Sequence, residues 1–394
     1  MAWEKVKLGD VSESCLGKML DQQKNRGEFH PYLANVNVRW GSFDLEDLPL
    51  MKFEDSEQER YGLKYGDLVV CEGGEPGRCA IWKNQIPNMK IQKALHRVRV
   101  SSDMDYRYLF YWFLYAGKRG ALDQYFTGAT IKHMPGEKLK QVLIDKPPLK
   151  EQKRIADILS AYDNLIENNQ KQIKLLEEAA GRLYKQWFID LRYPGHETTP
   201  IVDGLPEGWK KGCLADIVRD VGINEKKENR TNYSYYLPID CLPKKSLTYT
   251  DFNNIELAES SLVAFSENDI VFGAMRPYFH KVVVARDPGL TRSTCFVINT
   301  LKQSMWSYAV MLLFDAETIK YATKISVGTT MPYVRWKDFI SMPILIPHEN
   351  VTKDFNRIIC TIIDRLKKIS KQNINLKQAR DRLLPKLMNG ELEV

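Results

Sequence analysis

Two stretches of the chain carry apolar residues at alternating steps of four and three. The first passes through Ile155, Leu159, Tyr162, Ile166, Asn169, Ile173, Leu176, Ala180, Leu183 and Trp187. The second passes through Phe355, Ile359, Ile362, Leu366, Ile369, Asn373, Leu376, Arg380, Leu383 and Leu387. A helix lying on a globular core rarely keeps such a register over about five heptads, so the spacing predicts a coiled coil. The expected helices cover roughly 150–188 and 350–388, each opening just past proline, at Pro147-Pro148 and at Pro347. A helix of about 38 residues is about 57 Å long, and two of them would form a rod holding other domains apart.

The remaining segments have a different rhythm. Val6–Val11, Asp67–Cys71, Cys79–Trp82 and Leu95–Val100 are short apolar or β-branched runs bounded by Gly, Pro and charge, which predicts strands. Tyr106–Ala116 reads as a buried helix. The plan then returns, with Asp269–Phe272, Val282–Ala285 and Cys295–Ile298 as strands and Met305–Phe314 as helix. Five segments follow: a strand-rich module at 1–149, a long helix at 150–191, a Pro- and Gly-rich linker at 192–208, a second module at 209–348, and a second long helix at 349–394. The expected fold class is mixed α/β, with two similar strand-rich domains joined by two long antiparallel helices.

The repeat is visible in the residues themselves. Trp3, Leu8, Asp10 and Val11 return as Trp209, Leu214, Asp216 and Ile217. Gly66-Asp67-Leu68-Val69 returns as Asn268-Asp269-Ile270-Val271, and Gly128-Ala129-Thr130 as Gly328-Thr329-Thr330. Ile144 and Pro147 return as Ile344 and Pro347. A duplicated chain gives approximate twofold symmetry, with two similar but unequal modules suited to a split, asymmetric target on a duplex. If the long helices run antiparallel about that axis, Asn169 faces Asn373 and Ile173 faces Ile369. A paired Asn layer would fix register at some cost in stability.

Charge adds a mild hint. The 394 residues carry a net charge of +7, which suits an acidic partner. The seven cysteines are scattered without a Cys-x-x-Cys pair, so neither a zinc ribbon nor a disulfide framework is indicated, and reduced thiols in the cytoplasm fit. The first ten residues are polar and charged, unlike a secretory leader. The most apolar runs, near Tyr108–Tyr115 and Tyr308–Phe314, are too short to span a bilayer.

Catalytic patterns are missing. There is no phosphate-binding Gly-x-x-x-x-Gly-Lys-Ser/Thr run, no His-Glu-x-x-His, and no Asn-Pro-Pro or Asp-Pro-Pro tetrapeptide of the kind that positions a base amine for methylation. Glu72-Gly73-Gly74-Glu75-Pro76-Gly77 resembles a cofactor loop, but a nucleotide-binding loop needs a helix next. Here Cys79-Ala-Ile-Trp82 follows, so a hairpin is expected. The six histidines lack ligand spacing, and no catalytic or metal-binding residue is proposed.

The nucleic-acid signal sits in loops that mix cations with hydrogen-bonding and aromatic groups. In the first half the candidate DNA-binding residues are Lys18, Lys24, Arg26, Asn37, Arg39, Arg78, Lys90, Gln92, Lys93, Thr130, Lys132 and His133. In the second they are Lys226, Lys227, Arg230, Arg276, Tyr278, His280, Arg292, Thr329, Thr330, Tyr333 and Arg335. Lys and Arg would neutralise phosphates, while Arg, Asn and Gln can contact base edges. Any one such cluster is ordinarily a solvated loop. The functional reading gains because corresponding loops in both halves share the character while differing in sequence, as expected if each reads its own half-site.

With these residues in view, the chain resembles the specificity subunit (HsdS) of type I restriction–modification systems. Each half opens with Trp-x-x-x-x-Leu-x-Asp-Val/Ile, carries Gly/Asn-Asp-Leu/Ile-Val in mid-module, and closes with Gly-x-Thr, Ile-x-x-Pro and a long helix. The first close, Pro147-Pro148-Leu-Lys-Glu151-Gln152-Lys-Arg-Ile155, is characteristic of that family, whereas the second departs from it at His348-Glu-Asn-Val351-Thr352. The resemblance implies two target-recognition domains reading a bipartite site on double-stranded DNA, and helices that set the unspecified gap and dock two modification subunits. It also implies two restriction subunits in the same complex, no membrane, and a cytoplasmic location. S-adenosylmethionine, ATP and Mg would belong to those partners, and this chain would be non-catalytic and hold no cofactor. Two rivals stand beside this reading: a coiled-coil scaffold that does not touch DNA, and a self-contained DNA methyltransferase or nuclease with divergent motifs.

Overall fold

A computed structural model describes residues 3–21 and 25–394 of the chain. It forms two compact units, one of Met1–Asn164 with Leu376–Val394 and one of Leu165–Asn375.

In the first unit the central sheet has the strand order Ser12–Leu16, Leu95–Val100, Leu68–Cys71, Cys79–Ile81, all neighbours antiparallel. Leu68-Val-Val-Cys71 is buried on both faces because its two-residue period serves two cores. Leu68 and Val70 join Val98 and the helix Tyr106–Lys118, while Val69 and Cys71 join Leu33, Trp82 and Leu95 on the other face. Asp105 starts that helix by accepting from the backbone N–H groups of Arg107 and Tyr108. A smaller sheet, Leu50–Phe53 with Glu28–Leu33 and Lys90–Ile91, borders the module.

The second unit repeats this topology strand for strand: Val218–Asp220, Cys295–Thr300, Ile270–Gly273, Val282–Val284. The repeated Asp motif proves to be a strand-entry device. Asp67 accepts from Lys64 N at 2.7 Å, and Asp269 accepts from Ser266 N at 2.7 Å. Gly66 (φ 89°) and Asn268 (φ 70°) turn left-handed just before them, where Gly and Asn are the residues that pay least. The far oxygen of Asp67 meets Arg99, and Asp269 accepts from Asn299, its counterpart on the equivalent strand.

Several expectations need correction. Val6–Val11 is not one strand: Glu4–Lys7 is extended, and Leu8–Val11 is a helical turn. Leu8 and Val11 are both buried, and a strand would have sent them to opposite faces. The segment 192–208 is more than a linker. Tyr193 is buried and stacks on Trp209 with centroids 5.4 Å apart, and Ile201–Val202 pairs with Leu205–Pro206 in a hairpin. The Gly-rich run at 72–77 does turn a hairpin, since Leu68–Cys71 and Cys79–Ile81 are antiparallel neighbours.

The long helices run Leu149–Tyr184, continued by a π turn to Ile189, and Glu349–Met388. Within the second unit Asn169 Nδ2 donates to Asn373 Oδ1 at 2.8 Å, and Trp187 lies 5.5 Å from Phe355 between ring centroids. Both pairs keep one constant sum of residue numbers, which is antiparallel pairing in a single register. Ile173 and Ile369 are buried in the same core. Within the first unit Arg380 Nη1 bonds Asp163, whose other oxygen accepts from Tyr111 Oη at 2.6 Å. The seam is wider than a strict coiled coil: Ile363 and Leu384 are fully buried, whereas Ile362 and Leu383 are half-buried. The second helix also packs on its module, where Ser370 Oγ donates to Tyr249 O at 2.5 Å and Lys367 Nζ reaches Glu267 at 3.1 Å. Ile155, Leu159, Phe355, Ile359 and Leu366 are buried, while Tyr162, Ile166, Leu176 and Leu376 are half-buried.

Gln152, in the Glu-Gln run, is 0% exposed. Its Nε2 donates to Pro147 O at 2.9 Å and Asp103 O at 3.2 Å, and its Oε1 accepts from Asp105 N at 2.8 Å. It ties the long helix to the start of Tyr106–Lys118 and presents nothing outward. In the second unit Asn356 does this work, accepting from Ser307 N at 3.1 Å and Ser307 Oγ at 2.7 Å. Asn356 lies one turn beyond the departure at 348–352, where buried Thr352 stands in place of Gln152 and donates to Glu349 O of its own helix at 3.0 Å.

Candidate nucleic-acid interface

At one end of each central sheet, three loops are laced together by the same backbone bonds. In the first module Glu72 N donates to Ala94 O at 2.8 Å, and Met134 N donates to Glu72 O at 2.7 Å. In the second, Ala274 N donates to Thr294 O at 2.9 Å, and Val334 N donates to Ala274 O at 3.0 Å. The Gly-x-Thr loops close by paired bonds, Thr127 with His133 and Val327 with Tyr333. The main chain is thus held by the fold, and the side chains it carries are free to differ.

On the first platform Thr130, Lys132, His133 and Lys93 are exposed, with Gln92 half-buried beside them. Lys132 Nζ lies 3.7 Å from Asp123. Asn35 Nδ2 donates to Gly73 O at 3.0 Å, and Arg78 bridges Glu75 (3.0 Å) and Asn35 O (3.2 Å). Glu75 also accepts from Trp40 Nε1 at 2.7 Å. Arg39 is exposed, with Nη1 donating to Val36 O at 2.6 Å. On the second platform Thr329, Thr330, Arg292, Arg335 and Tyr278 are exposed. Tyr333 Oη donates to Ser293 O at 3.4 Å, and Arg335 Nε pairs with Asp338 at 2.6 Å. Arg292 reaches Ser260 Oγ at 3.5 Å, next to Glu259, which pairs with Lys227 at 3.2 Å. Lys226 and Arg26 are exposed, and Arg230 is half-buried with a 3.4 Å bond to Ala258 O.

Four predicted DNA contacts are internal instead. Lys18 is 3% exposed: its Nζ pairs with Glu57 at 2.5 Å and donates to Lys52 O at 2.9 Å. Lys90 is buried in a strand, and desolvation lowers its pKa. Asn37 is buried and builds its own turn, accepting from Ala34 N and donating to Asp44 O. His280 is half-buried, its Nε2 2.8 Å from Phe314 O, and burial lowers its pKa. Lys18 and His280 are captured by partners far away in the sequence, Lys90 is buried with its strand, and Asn37 is used up by its own local turn. Lys24 lies outside the described residues.

Sequence reasoning missed Ile131 and Met331, large aliphatic side chains held out at the tips of the two equivalent loops, 65% and 53% exposed. The same offset of two hundred that located Thr130 and Thr330 would have found them. Among the described residues no group of three or more His, Cys, Asp or Glu could hold a metal ion, and no helix is long and apolar enough to cross a membrane.

The architecture defines a class: a tandem protein whose two modules raise equivalent backbone platforms with unlike side chains, each packed on long antiparallel helices. Residues 2–178 match the model of the type I restriction modification DNA specificity domain. The chain is 28% identical over 345 residues to the type I restriction enzyme MjaIX specificity subunit of Methanocaldococcus jannaschii, covering 84% of this chain and 78% of that one. It is 23% identical to the MjaVIII specificity subunit of the same organism, covering 100% of this chain and 93% of that one. The crystal structure of the type I restriction-modification S subunit from M. genitalium has the same fold, with a TM-score of 0.57 at 16% identity over 98% of this chain and 96% of that one. The chain is thus similar in sequence and in fold to type I restriction–modification specificity subunits, and its first half matches their DNA specificity domain.

Proposed function

We propose that this chain is the DNA-addressing subunit of a type I restriction–modification complex, each module reading one half of a bipartite duplex site. The observation that carries this is the pair of platforms, laced by equivalent backbone bonds and different in side chains. Equivalent geometry with unequal chemistry is what reading two unlike half-sites requires. Thr130, Lys132, His133, Gln92 and Lys93 would serve the first half-site, and Arg276, Tyr278, Arg292, Thr329, Thr330, Tyr333 and Arg335 the second. Arg26, Arg39, Arg78, Lys226, Lys227 and Arg230 would add phosphate contacts. The long helices would set the gap between half-sites and dock two modification subunits, which would bring S-adenosylmethionine. Two restriction subunits, with ATP and Mg, would join in the cytoplasm.

The test is to co-express the chain with the modification subunit of its own system and map methylated adenines genome-wide. A single split motif with a fixed gap is the expected result. Stable association with the modification subunit but no motif would overturn the reading and leave a scaffold.

A further inference from the structure

In each module a loop joins the same two strands of the central sheet, and the loops close alike: Cys71 N donates to Arg78 O, and Gly273 N to Lys281 O, both at 2.8 Å. Each loop turns left-handed at two equivalent places. In the first module these are Gly74 (φ 72°) and Gly77 (φ 88°). In the second they are Arg276 (φ 49°) and His280 (φ 52°). Glycine adopts this conformation freely, and at Gly74 a Cβ would lie 2.6 Å from Asn35 Nδ2. A residue with a Cβ is strained there, and such strain persists where something else demands the side chain.

For His280 the demand is internal, through its bond to Phe314 O and the Phe314 ring 4.9 Å away. The Arg276 backbone N–H donates to Pro332 O at 2.7 Å, but its side chain has no comparable anchor. Its Nη2 makes a 3.3 Å bond to Thr330 O, its Nε is buried without a partner, and among the described residues no carboxylate lies within ion-pair distance of it. The side chain therefore sits beside the exposed Thr330 loop, held there at a conformational cost, with donors the fold leaves largely unused. Module 1 has no side chain at the equivalent place.

Resting on the DNA-reading function proposed above, we propose that Arg276 is a specificity-determining residue of the second module and reads a guanine. The planar guanidinium is the side chain matched to the O6 and N7 acceptors of guanine in the major groove. The half-site of the second module then contains a G·C pair fixed by Arg276. The first module, with Gly74, leaves the corresponding base unread from this position.

The experiment maps methylated motifs for the full complex carrying the unaltered chain, Arg276→Ala, Arg276→Gly and Arg276→Lys. The expected result is that one G·C position in one half-site becomes degenerate in the Ala and Gly variants, with discrimination falling roughly 5- to 150-fold. The other half-site and the gap stay unchanged. Arg276→Gly also melts no lower than the unaltered chain, because it removes the backbone strain. A uniform loss at all sequences would make Arg276 a phosphate contact and overturn the inference, as would an unchanged motif or relaxation at an A·T pair. Unfolding of Arg276→Gly would make the residue structural and also overturn it. If the unaltered chain gives no split motif, the DNA reading itself fails, a result distinct from all of these.

Discussion

Asn169 and Asn373 meet across the helix seam of the second unit, Nδ2 of the first donating to Oδ1 of the second at 2.8 Å. Asn373 is buried, and its own Nδ2 has no partner among the described residues. Such a layer costs stability and limits the register in which two apolar seams can pair. Replacing Asn373 alone by Leu leaves the Asn169 amide facing hydrocarbon and should destabilise the protein by about 1–3 kcal/mol. Replacing both residues by Leu should recover that loss and raise Tm above that of the unaltered chain. Thermal melts of the two single variants and the double complete the cycle. A double variant as unstable as the sum of the singles would contradict this account.

Gln152 holds the start of the first long helix against the module by bonds to Pro147 O, Asp103 O and Asp105 N. Gln152→Ala strands up to three backbone groups and should cost at least about 3 kcal/mol, each unpaired group contributing about 1–3 kcal/mol. Denaturant midpoints measure the loss. Association with a modification subunit, tested below the melting temperature, should be unchanged because the side chain reaches no outer surface.

Glu177 gives a pH signature. Its carboxylate accepts from Ser246 Oγ and Leu247 N, each at 2.7 Å, yet burial pushes its pKa up from 4.5 to about 7. A raised carboxyl pKa means the folded state binds more protons than the unfolded state between about 4.5 and 7. The stability it contributes is complete below that window and is lost as pH rises through it. Glu177→Gln keeps an acceptor without the charge, so its Tm should gain on the unaltered chain from pH 5 to pH 8. The gain should be on the order of 1–3 kcal/mol in stability. Parallel melts at the two pH values that move together would refute this.

Lysines that look alike in the sequence should behave differently on DNA. Lys132 and Lys93 are exposed on the first platform, and losing either should flatten the salt dependence of DNA affinity by about one unit of slope. Lys18 is sealed against Glu57 and Lys52 O. Lys18→Ala should leave that slope untouched and lower Tm instead, because Glu57 loses its partner. Binding titrations across a range of salt separate the two cases.

Much of the architecture was readable from residue order because it rests on periodicity. Four-three spacing places a stripe on a helix whatever lies nearby, so both long helices and the Asn169–Asn373 pairing followed from the numbers alone. The short apolar run Leu68-Val-Val-Cys71 and its repeat at Ile270 announced central strands by their β-branched composition and flanking turn residues, and the offset of two hundred placed Thr130 and Thr330 at equivalent loop tips.

What the tertiary structure alone decided is which polar groups remain free. Lys18, Lys90, Asn37 and His280 had the composition of a binding loop, yet Lys18 and His280 are captured by groups brought close only by folding, Lys90 is buried with its strand, and Asn37 is spent on its own turn. Arg276 looked like any loop arginine until its left-handed backbone could be set beside Gly74. Ile363 and Leu384 joined the core because the second long helix packs on a module as well as on its partner helix. Backbone pattern is written locally in the chain. Desolvation and the availability of a donor depend on every atom within a few ångströms, and those neighbours are chosen by the fold.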